Sequence, residues 1–280
     1  MTDIQTTLST ATELLANTSD SALLDAEVLL CHVLDKPRSH LRAWPEKQLK
    51  TQQYKQYLQL LEQRQQGRPI AYITGKKEFW SREFKVCPDV LIPRPDTELL
   101  IELSLNLISG KPKARLIDLG TGSGAIAITL AAERPDTNII ATDLSNKALN
   151  IARQNAAAHQ IKNIQFIQSN WFDELAPSKF DLVISNPPYI AYKDPHLSQG
   201  DVRFEPDRAL IAKNQGLEDI TNISHTAHNY LKSGGTLLVE HGYNQQIAVQ
   251  KIFNSFAYTN ITTHTDLSGN PRVTTGQWNQ

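Results

Sequence analysis

The chain has 280 residues, of which 40% are hydrophobic and 20% charged, and its formal net charge at pH 7 is -1. This composition excludes a disordered, collagen-like or disulfide-framework protein, and the length suits one large domain or two smaller ones. A net charge near zero argues against a protein that nucleic acid holds by its whole surface. Because we find neither a signal-peptide pattern nor a long apolar run, we expect a cytoplasmic protein without a membrane anchor.

The first third of the chain predicts a small helical domain followed by a hairpin. Apolar residues recur at helical spacing within residues 4–15 and 23–34, and a more polar helix is expected within residues 46–66. Aromatic and β-branched runs around Gly75 predict a hairpin. The predicted division is a helical N-terminal domain at 1–70, a hairpin linker at 71–90 and a second domain at 91–280.

From about Lys113 the pattern alternates between strand and helix, which is typical of an α/β protein with a parallel sheet. The predicted strands cover residues 115–119, 138–142, 164–168, 180–185 and 236–240, with weaker signals at 261–265 and 273–275. The predicted helices cover residues 125–132 and 147–159 and part of 217–231. We therefore expect a Rossmann-like, mostly parallel sheet.

A glycine-rich turn, DLGTGSG at residues 118–124, follows the first strand of this sheet. Its glycines permit a tight turn and bring backbone N–H groups and a helix N-terminus close to a ligand. Gly120, Gly122 and Ala125 also match the dinucleotide pattern G-x-G-x-x-A, so the turn does not separate NAD from S-adenosylmethionine. Asp143 ends the next strand, where its carboxylate can accept from both hydroxyls of a ribose. Together they predict a nucleotide-like cofactor.

The tetrapeptide Asn186-Pro187-Pro188-Tyr189 directly follows the strand at 180–185. Two prolines stiffen the segment and present carbonyl oxygens at the edge of the sheet where such folds bind ligands. The Asn186 side-chain oxygen and a proline carbonyl can hold both protons of a planar NH2 group, and Tyr189 can lie against it. This grip would free the nitrogen lone pair for attack. The tetrapeptide therefore predicts an enzyme that modifies a planar amino group.

These motifs resemble the class I S-adenosylmethionine-dependent methyltransferases that modify planar amino groups. More closely, the chain resembles the HemK/PrmC family of release factor glutamine methyltransferases, and the similarity includes the helical N-terminal domain. The motifs that carry the resemblance are IPRPDTE at 92–98, DLGTGSGAIAI at 118–128, QSNWF at 168–172, SNPPYI at 185–190 and GDVRFEP at 200–206.

The resemblance implies methyl transfer from S-adenosyl-L-methionine, which leaves S-adenosyl-L-homocysteine. The acceptor would be the side-chain amide nitrogen (N5) of the glutamine in the Gly-Gly-Gln motif of class I peptide chain release factors. The implied cofactor residues are Gly120, Thr121, Gly122, Ser123 and Gly124 for the methionine part, Asp143 for the ribose, Asn170 and Trp171 beside the adenine, and Asn186 near the methyl. Asn170 stands where the family often has Asp, and its amide oxygen can still accept from the adenine amino group.

The resemblance also implies a glutamine pocket formed by the tetrapeptide. Asn186 would face both the methyl and the glutamine amide, with Pro187, Pro188 and Tyr189 completing the pocket. Asn186, Pro187 and Tyr189 are the implied catalytic residues. The helical domain would dock the release factor, and the charged segment at 191–215 would overhang the substrate. Whether Arg94 or Thr97 contacts the cofactor is left open.

Three other functions compete with this interpretation. A nucleic acid methyltransferase acting on adenine N6 or guanine N2 also uses motifs like NPPY, but it needs a basic surface for phosphates. A noncatalytic binding module and an NAD oxidoreductase are weaker alternatives, because neither gives the tetrapeptide a chemical task. The histidines lack metal-site spacing, so we expect no metal and a structural His241. We expect a monomer that makes no direct contact with nucleic acid.

Overall fold

The computed structural model describes residues 2–280. The chain divides into two compact units, and each unit is formed from two separate stretches of the chain. The first unit comprises the described residues up to Lys76 together with His196–Phe204, and the second comprises Lys77–Pro195 together with Glu205–Gln280. The helical unit thus extends beyond the predicted boundary at 70 and includes a segment from the middle of the second half.

The first unit is helical, as its apolar spacing predicts. Its helices are α1 (Ile4–Leu15), α2 (Ala22–Leu34), α3 (Arg38–Ala43), α4 (Thr51–Gln65) and α5 (Ile70–Thr74). The Asp3 side chain caps α1 by accepting from the Thr6 N–H at 2.7 Å. The helix α3 was not predicted, because Pro37 was interpreted only as the end of α2. The fully buried core of the unit includes Leu15, Leu29, Leu30 and Tyr57.

A buried arginine joins the segment 196–204 to the helical unit. The Arg64 guanidinium on α4 donates to Asp25 Oδ2 at 2.7 Å and to Asp201 Oδ1 at 3.0 Å. Arg203 adds a bond to the Gln66 carbonyl at 3.3 Å. Because the Arg64 and Asp25 side chains are only 11% and 8% exposed, water screens their ion pair poorly. These contacts explain why nine residues from the second half belong to the first unit.

The predicted hairpin is present within the segment 71–90. Its strands are β1 (Lys76–Phe79) and β2 (Arg82–Lys85), and the turn is at Trp80 and Ser81, which have φ of 49° and 55°. The first residues of the segment form helix α5, which ends at Gly75 because Gly75 has the left-handed φ of 73° that terminates helices. The Lys85 N–H donates to Asn155 Oδ1 at 2.8 Å, which fixes the hairpin on the second unit.

The second unit contains the remaining helices and strands. In chain order they are α6 (Glu98–Leu107), β3 (Arg115–Leu119), α7 (Ala125–Glu133), β4 (Asn138–Asp143), α8 (Asn146–Ala158), β5 (Ile164–Gln168), β6 (Phe180–Ser185), β7 (Ile190–Ala191), β8 (Ile211–Ala212), α9 (Lys213–Gly216), α10 (Glu218–Ala227), β9 (Leu231–Glu240), α11 (Gln246–Ser255), β10 (Thr259–Thr265) and β11 (Pro271–Trp278).

Seven strands form one sheet in the order β10-β11-β9-β6-β3-β4-β5. Strands β9, β6, β3, β4 and β5 are parallel, whereas β11 is antiparallel to both β9 and β10. The predicted α/β class with a mostly parallel sheet is therefore confirmed. Leu116, Ile117 and Leu119 of β3 are fully buried. Leu116 belongs to one apolar cluster and Ile117 and Leu119 to another, so apolar layers cover both faces of the central sheet.

The topology brings the ends of three strands together. From β3 the chain moves to β4 on one side, and after β5 it returns to β6 on the other side of β3. Leu119 pairs with Thr142 of β4 and with Ser185 of β6, so the segments that follow all three strands begin at one edge. Such a switch in strand order opens a crevice at the carboxyl edge of the sheet, where ligands bind. Within residues 2–280 no helix has the length and apolar character needed to cross a membrane.

Candidate active site

The glycine turn after β3 has two different structural tasks. Gly120, Gly122 and Gly124 all have left-handed φ, at 73°, 56° and 85°. A Cβ on Gly124 would lie 2.6 Å from Ile128 Cδ1 and 3.2 Å from Ala152 Cβ, so this glycine allows close helix packing. Gly120 and Gly122 instead line the cleft. Only the first part of the turn therefore faces the cleft.

Asp143 ends β4 and is held in place by backbone donors. Its Oδ2 accepts from the Gly122 N–H at 2.9 Å and its Oδ1 from the Ser145 N–H at 2.8 Å. Burial raises the pKa of Asp143, while these two N–H groups and the charge of Arg208 act against that rise. The carboxylate thus stands at the cleft in a fixed orientation, with lone pairs left for ligand hydroxyl groups.

Asp118 lies beneath the glycine turn and is 1% exposed. Its Oδ2 accepts from the Thr121 hydroxyl at 2.6 Å. Burial raises its pKa to about 7, while the Thr121 hydroxyl and the Ala127 backbone N–H act against that rise. Asp118 therefore holds Thr121 in place within the turn.

Trp171 and Asn170 form the wall of the cleft opposite Asp143. Trp171 has a left-handed φ of 50°, and a Cβ on Gly120 would come within 3.2 Å of its ring. Burial and the neighbouring Glu218 charge raise the pKa of the Asp219 carboxyl, and the nearby Trp171 side chain acts against that rise. Asn170 donates through Nδ2 to Asp173 Oδ2 at 2.9 Å, which leaves its amide oxygen as the free acceptor. The wall thus combines a flat apolar ring with one neighbouring acceptor.

Asn186 follows β6, directly beside the glycine turn. Its Nδ2 donates to the Thr97 hydroxyl oxygen at 3.1 Å. Asn186 and Pro188 line the cleft, whereas Pro187 is buried. The side-chain oxygen of Asn186 therefore remains as an acceptor, and Asn186 lines the same cleft as Gly120 and Asp143.

Tyr189 is anchored behind the cleft and does not line it. Its hydroxyl donates to Glu240 Oε1 at 3.3 Å, and its carbonyl accepts from Gln245 Nε2 at 3.0 Å. Burial, with the neighbouring Glu240 charge, raises the pKa of the Tyr189 hydroxyl. A Cβ on Gly216 would lie 2.0 Å from the Tyr189 carbonyl oxygen, so this backbone is held on two sides. Tyr189 supports the tetrapeptide from below.

The cleft unites most of the predicted site residues. The predicted residues that line it are Gly120, Gly122, Asp143, Asn170, Trp171, Asn186 and Pro188. The predicted residues that do not line it are Thr121, Ser123, Gly124, Pro187 and Tyr189. Thr121 and Ser123 are buried and shape the turn.

Further residues of the cleft were missed by sequence reasoning. They are Asp89, Val90, Leu91, Leu144, Ala148, Ser169, Arg208, Ala209 and Asp219. Arg208 joins two of these segments by donating to the Asp89 carbonyl at 3.1 Å. Some of them could have been predicted from their position in the sequence, since Leu144 follows Asp143 and Arg208 lies in the segment after the tetrapeptide. Asp219, at the start of α10, had no such signal.

The PRPDTE segment supports the site without lining the cleft. The Arg94 guanidinium forms an ion pair with Glu205, whose side chain is completely buried, and the Ile92 N–H donates to Glu205 Oε2 at 3.0 Å. Thr97 binds Asn186, as described above. Neither Arg94 nor Thr97 lines the cleft.

Among residues 2–280, neither the histidines nor other side chains form a metal site. His241 is fully buried between the Gly242 carbonyl at 2.9 Å and the Thr274 hydroxyl at 2.8 Å, as expected of a structural histidine. Burial lowers its pKa. Among the residues described, 2–280, no three His, Cys, Asp or Glu side chains are arranged to hold a metal ion.

Comparisons with known proteins agree with this fold. The methyltransferase domain family matches residues 110–278, and the PrmC N-terminal domain family matches residues 6–75. The hMettl16 catalytic domain in complex with MAT2A 3'UTR hairpin 6 shares the fold at 18% identity, with a TM-score of 0.57 over 82% of each chain. A methyltransferase from Pyrococcus furiosus shares it at 14% identity, with a TM-score of 0.53 over 73% of this chain and 92% of the other. Fold and site together define a methyltransferase with a Rossmann-like domain.

Sequence relatives narrow this class to one family. The release factor glutamine methyltransferase of Vibrio cholerae serotype O1 is 51% identical over 98% of this chain and 96% of its own length. That of Escherichia coli (strain K12) is 48% identical over 94% of each chain. The chain belongs to the release factor glutamine methyltransferase family.

Proposed function

We propose that this enzyme transfers a methyl group from S-adenosyl-L-methionine to the side-chain amide nitrogen of the glutamine in the Gly-Gly-Gln motif of class I peptide chain release factors. The observation that carries the proposal is the position of Asn186. It lines the same cleft as Gly120 and Asp143, while its amide nitrogen is bound to Thr97. An acceptor for an amino group thus lies next to the turn that suits a nucleotide-like cofactor.

The residues of the cleft fit S-adenosylmethionine. Gly120 and Gly122 leave room for the methionine part, and Asp118 holds Thr121 of the same turn in place. Asp143 is assigned to the ribose hydroxyls, Trp171 to the adenine face and Asn170, through its free oxygen, to the adenine amino group. Thr121, Ser123 and Gly124 shape the turn. When bound, this cofactor supplies a methyl group on a positively charged sulfur.

The tetrapeptide is assigned to the substrate amide. The Asn186 oxygen and the Pro187 carbonyl accept its two protons, which directs the nitrogen lone pair toward the methyl. Pro188 borders the pocket, and Tyr189 holds the segment in place through Glu240. Alignment of the reacting atoms supplies most of the rate enhancement, because the nitrogen attacks as a neutral group and needs no strong base. The positive charge moves from sulfur to nitrogen as the methyl is transferred, and it is lost when the amide proton leaves to water.

The helical unit is assigned to docking of the release factor, and the enzyme acts as a monomer in the cytoplasm without direct contact with nucleic acid. Relatives named release factor glutamine methyltransferases match this chain over its helical part as well as its methyltransferase domain. Two units with separate cores suit a division between holding the substrate protein and carrying out the transfer.

Radiolabelled methyl transfer tests the proposal directly. Purified, unmethylated release factor is compared with its Gly-Gly-Ala variant and with equal amounts of DNA and RNA. We expect label on the native factor alone. Label on nucleic acid would reassign the substrate while keeping the methyltransferase, and absence of label on every acceptor would contradict the proposed activity.

A further inference from the structure

A buried hydroxyl determines how the Asn186 side chain is bound. Thr97 is 4% exposed, and its oxygen accepts from Asn186 Nδ2 at 3.1 Å. A hydroxyl has one proton to donate and can accept as well. If that proton is committed to another acceptor, the Thr97 oxygen can only accept from Asn186. The destination of the Thr97 proton therefore decides which end of the Asn186 amide faces the cleft.

Glu240, at the end of β9, lies next to Asn186, because Ser185 and Val239 pair across β6 and β9 and the two residues follow that pair. It is 1% exposed, and its Oε1 accepts from the Tyr189 hydroxyl at 3.3 Å. Its Oε2 is buried and has no hydrogen-bond partner among residues 2–280. Burial raises the pKa of Glu240, and among the neighbouring groups the Thr97 hydroxyl acts most strongly against that rise. The carboxylate can therefore accept one more hydrogen bond, and the Thr97 hydroxyl can donate it.

We propose that Thr97 and Glu240 are positioning residues, which together hold the Asn186 amide with its oxygen toward the substrate. Glu240 accepts the Thr97 proton, the Thr97 oxygen accepts from Asn186 Nδ2, and Asn186 Oδ1 is left to accept from the substrate amide. This inference rests on the role proposed for Asn186 above. It extends the site to two residues that do not line the cleft.

The alternative orientation of Asn186 would oppose the reaction. A flipped amide would present NH2 to the NH2 of the substrate, so two donors would face each other without an acceptor. Asparagine has nearly the same shape in both orientations, and packing alone discriminates poorly between them. The hydrogen-bond chain from Glu240 supplies this discrimination. It also favours substrates that donate two protons over substrates that only accept.

The first experiment compares three single variants. Thr97→Val keeps the side-chain shape and removes the hydroxyl, whereas Thr97→Ser keeps the hydroxyl. Thr129→Val is the matched control, because Thr129 is fully buried on α7 and its hydroxyl has no hydrogen-bond partner among residues 2–280. For each variant, kcat, KM for release factor, Kd for S-adenosylhomocysteine and Tm are measured.

For Thr97→Val we expect kcat to fall on the order of 100-fold, the effect of a misaligned reacting group, with ligand Kd changed less than about threefold. Thr97→Ser is expected to retain kcat within about fivefold of the parent, and Thr129→Val to leave it unchanged. A normal kcat in Thr97→Val would overturn the proposal. So would an equal loss in Thr97→Ser, because the hydroxyl would then be irrelevant.

A double-variant cycle separates this inference from the proposed function. If Thr97 acts through Asn186, then adding Thr97→Val to Asn186→Ala causes no further loss of kcat. Independent, multiplicative losses would overturn the positioning role. If Asn186→Ala itself retains normal turnover, the proposed amide grip fails as well. If only Asn186→Ala is inactive and Thr97→Val is normal, the grip survives and the inference fails.

Glu240→Gln provides a second variant in case Thr97→Val folds poorly. A glutamine can present either an acceptor or a donor to Thr97, so we expect a smaller loss of kcat, about 10-fold, without loss of ligand affinity. An unchanged kcat in a stably folded Glu240→Gln would show that Asn186 needs no support from Glu240.

Discussion

The Gly122 backbone N–H donates to the Asp143 carboxylate at 2.9 Å, and this bond joins the turn after β3 to the end of β4. The two motifs, which both line the cleft, are therefore one structural unit. The bond aligns the carboxylate before any ligand arrives, because Ser145 holds its second oxygen. Preorganisation of this kind reduces the entropy lost on binding.

Asp143→Ala is expected to weaken S-adenosylhomocysteine binding on the order of 100-fold, because hydrogen bonds to a charged acceptor are lost. Isothermal titration calorimetry measures the Kd. Asp136→Ala is the control, since Asp136 is an exposed carboxylate paired with Arg134 outside the cleft. Equal affinity in Asp143→Ala and the parent would refute the ribose assignment.

Gly120→Ala is expected to abolish detectable cofactor binding and to lower Tm. The backbone at this position has a φ of 73°, which strains a residue with a side chain, and the added Cβ would lie 3.2 Å from the Trp171 ring. Gly110→Ala is the matched control, because its Cβ would meet no atom within 4 Å and its φ is not left-handed. Binding by calorimetry and melting by circular dichroism distinguish the two. A Gly120→Ala enzyme that binds like the parent would show that the turn tolerates a side chain.

The local patterns of the chain predicted the strands of the parallel sheet and the motifs that follow them. Gly120 and Asn186 follow apolar strands and Asp143 ends one, so each motif could be recognised from a short stretch of sequence. The sheet then aligns them through its register. This part of the site could be predicted because it depends on residue type and on strand order alone.

The missed features depend on contacts between residues far apart in the chain. Thr97 and Asn186 are 89 positions apart, and Arg64 and Asp201 are 137 apart. Periodicity contains no information about such pairs. The same limit explains why Glu240 was interpreted only as the end of a strand. It also explains why the segment 196–204 was not assigned to the helical unit.

Arg64→Ala is expected to destabilise the helical unit on the order of 3 kcal/mol, because it leaves the buried Asp25 without its ion partner. Arg68→Ala is the control, since Arg68 lies on the same unit and its side chain bonds the neutral Gln63 amide at 2.8 Å. Urea denaturation gives the free energies, and limited proteolysis at 196–204 reports release of that segment. Equal losses in both variants would refute a special anchoring role for Arg64.

The pH dependence of turnover should reflect Glu240. Burial raises its pKa from 4.5 to about 7, with Asp96 raising it further while Thr97, Arg272 and Tyr189 act against the rise. Below that pH a protonated Glu240 can donate to Thr97, which frees the Thr97 proton for Asn186 Oδ1 and permits the flipped amide. We therefore expect kcat to fall as pH decreases through about 7. The kcat profile of Glu240→Gln should lack this acid limb.

Stability should respond to pH in the opposite direction at the same residue. Because the folded-state pKa lies above the ordinary value, the native protein binds the Glu240 proton more tightly than the unfolded chain does. Its contribution to stability is therefore present below pH 4.5 and is lost as pH rises toward about 7. The free energy of unfolding of the parent, relative to Glu240→Gln, should fall between pH 5 and 8 in urea titrations. A difference that stays constant, together with an acid limb that survives in Glu240→Gln, would assign the titration to another group, of which Asp118, with a pKa of about 7, is the first to test.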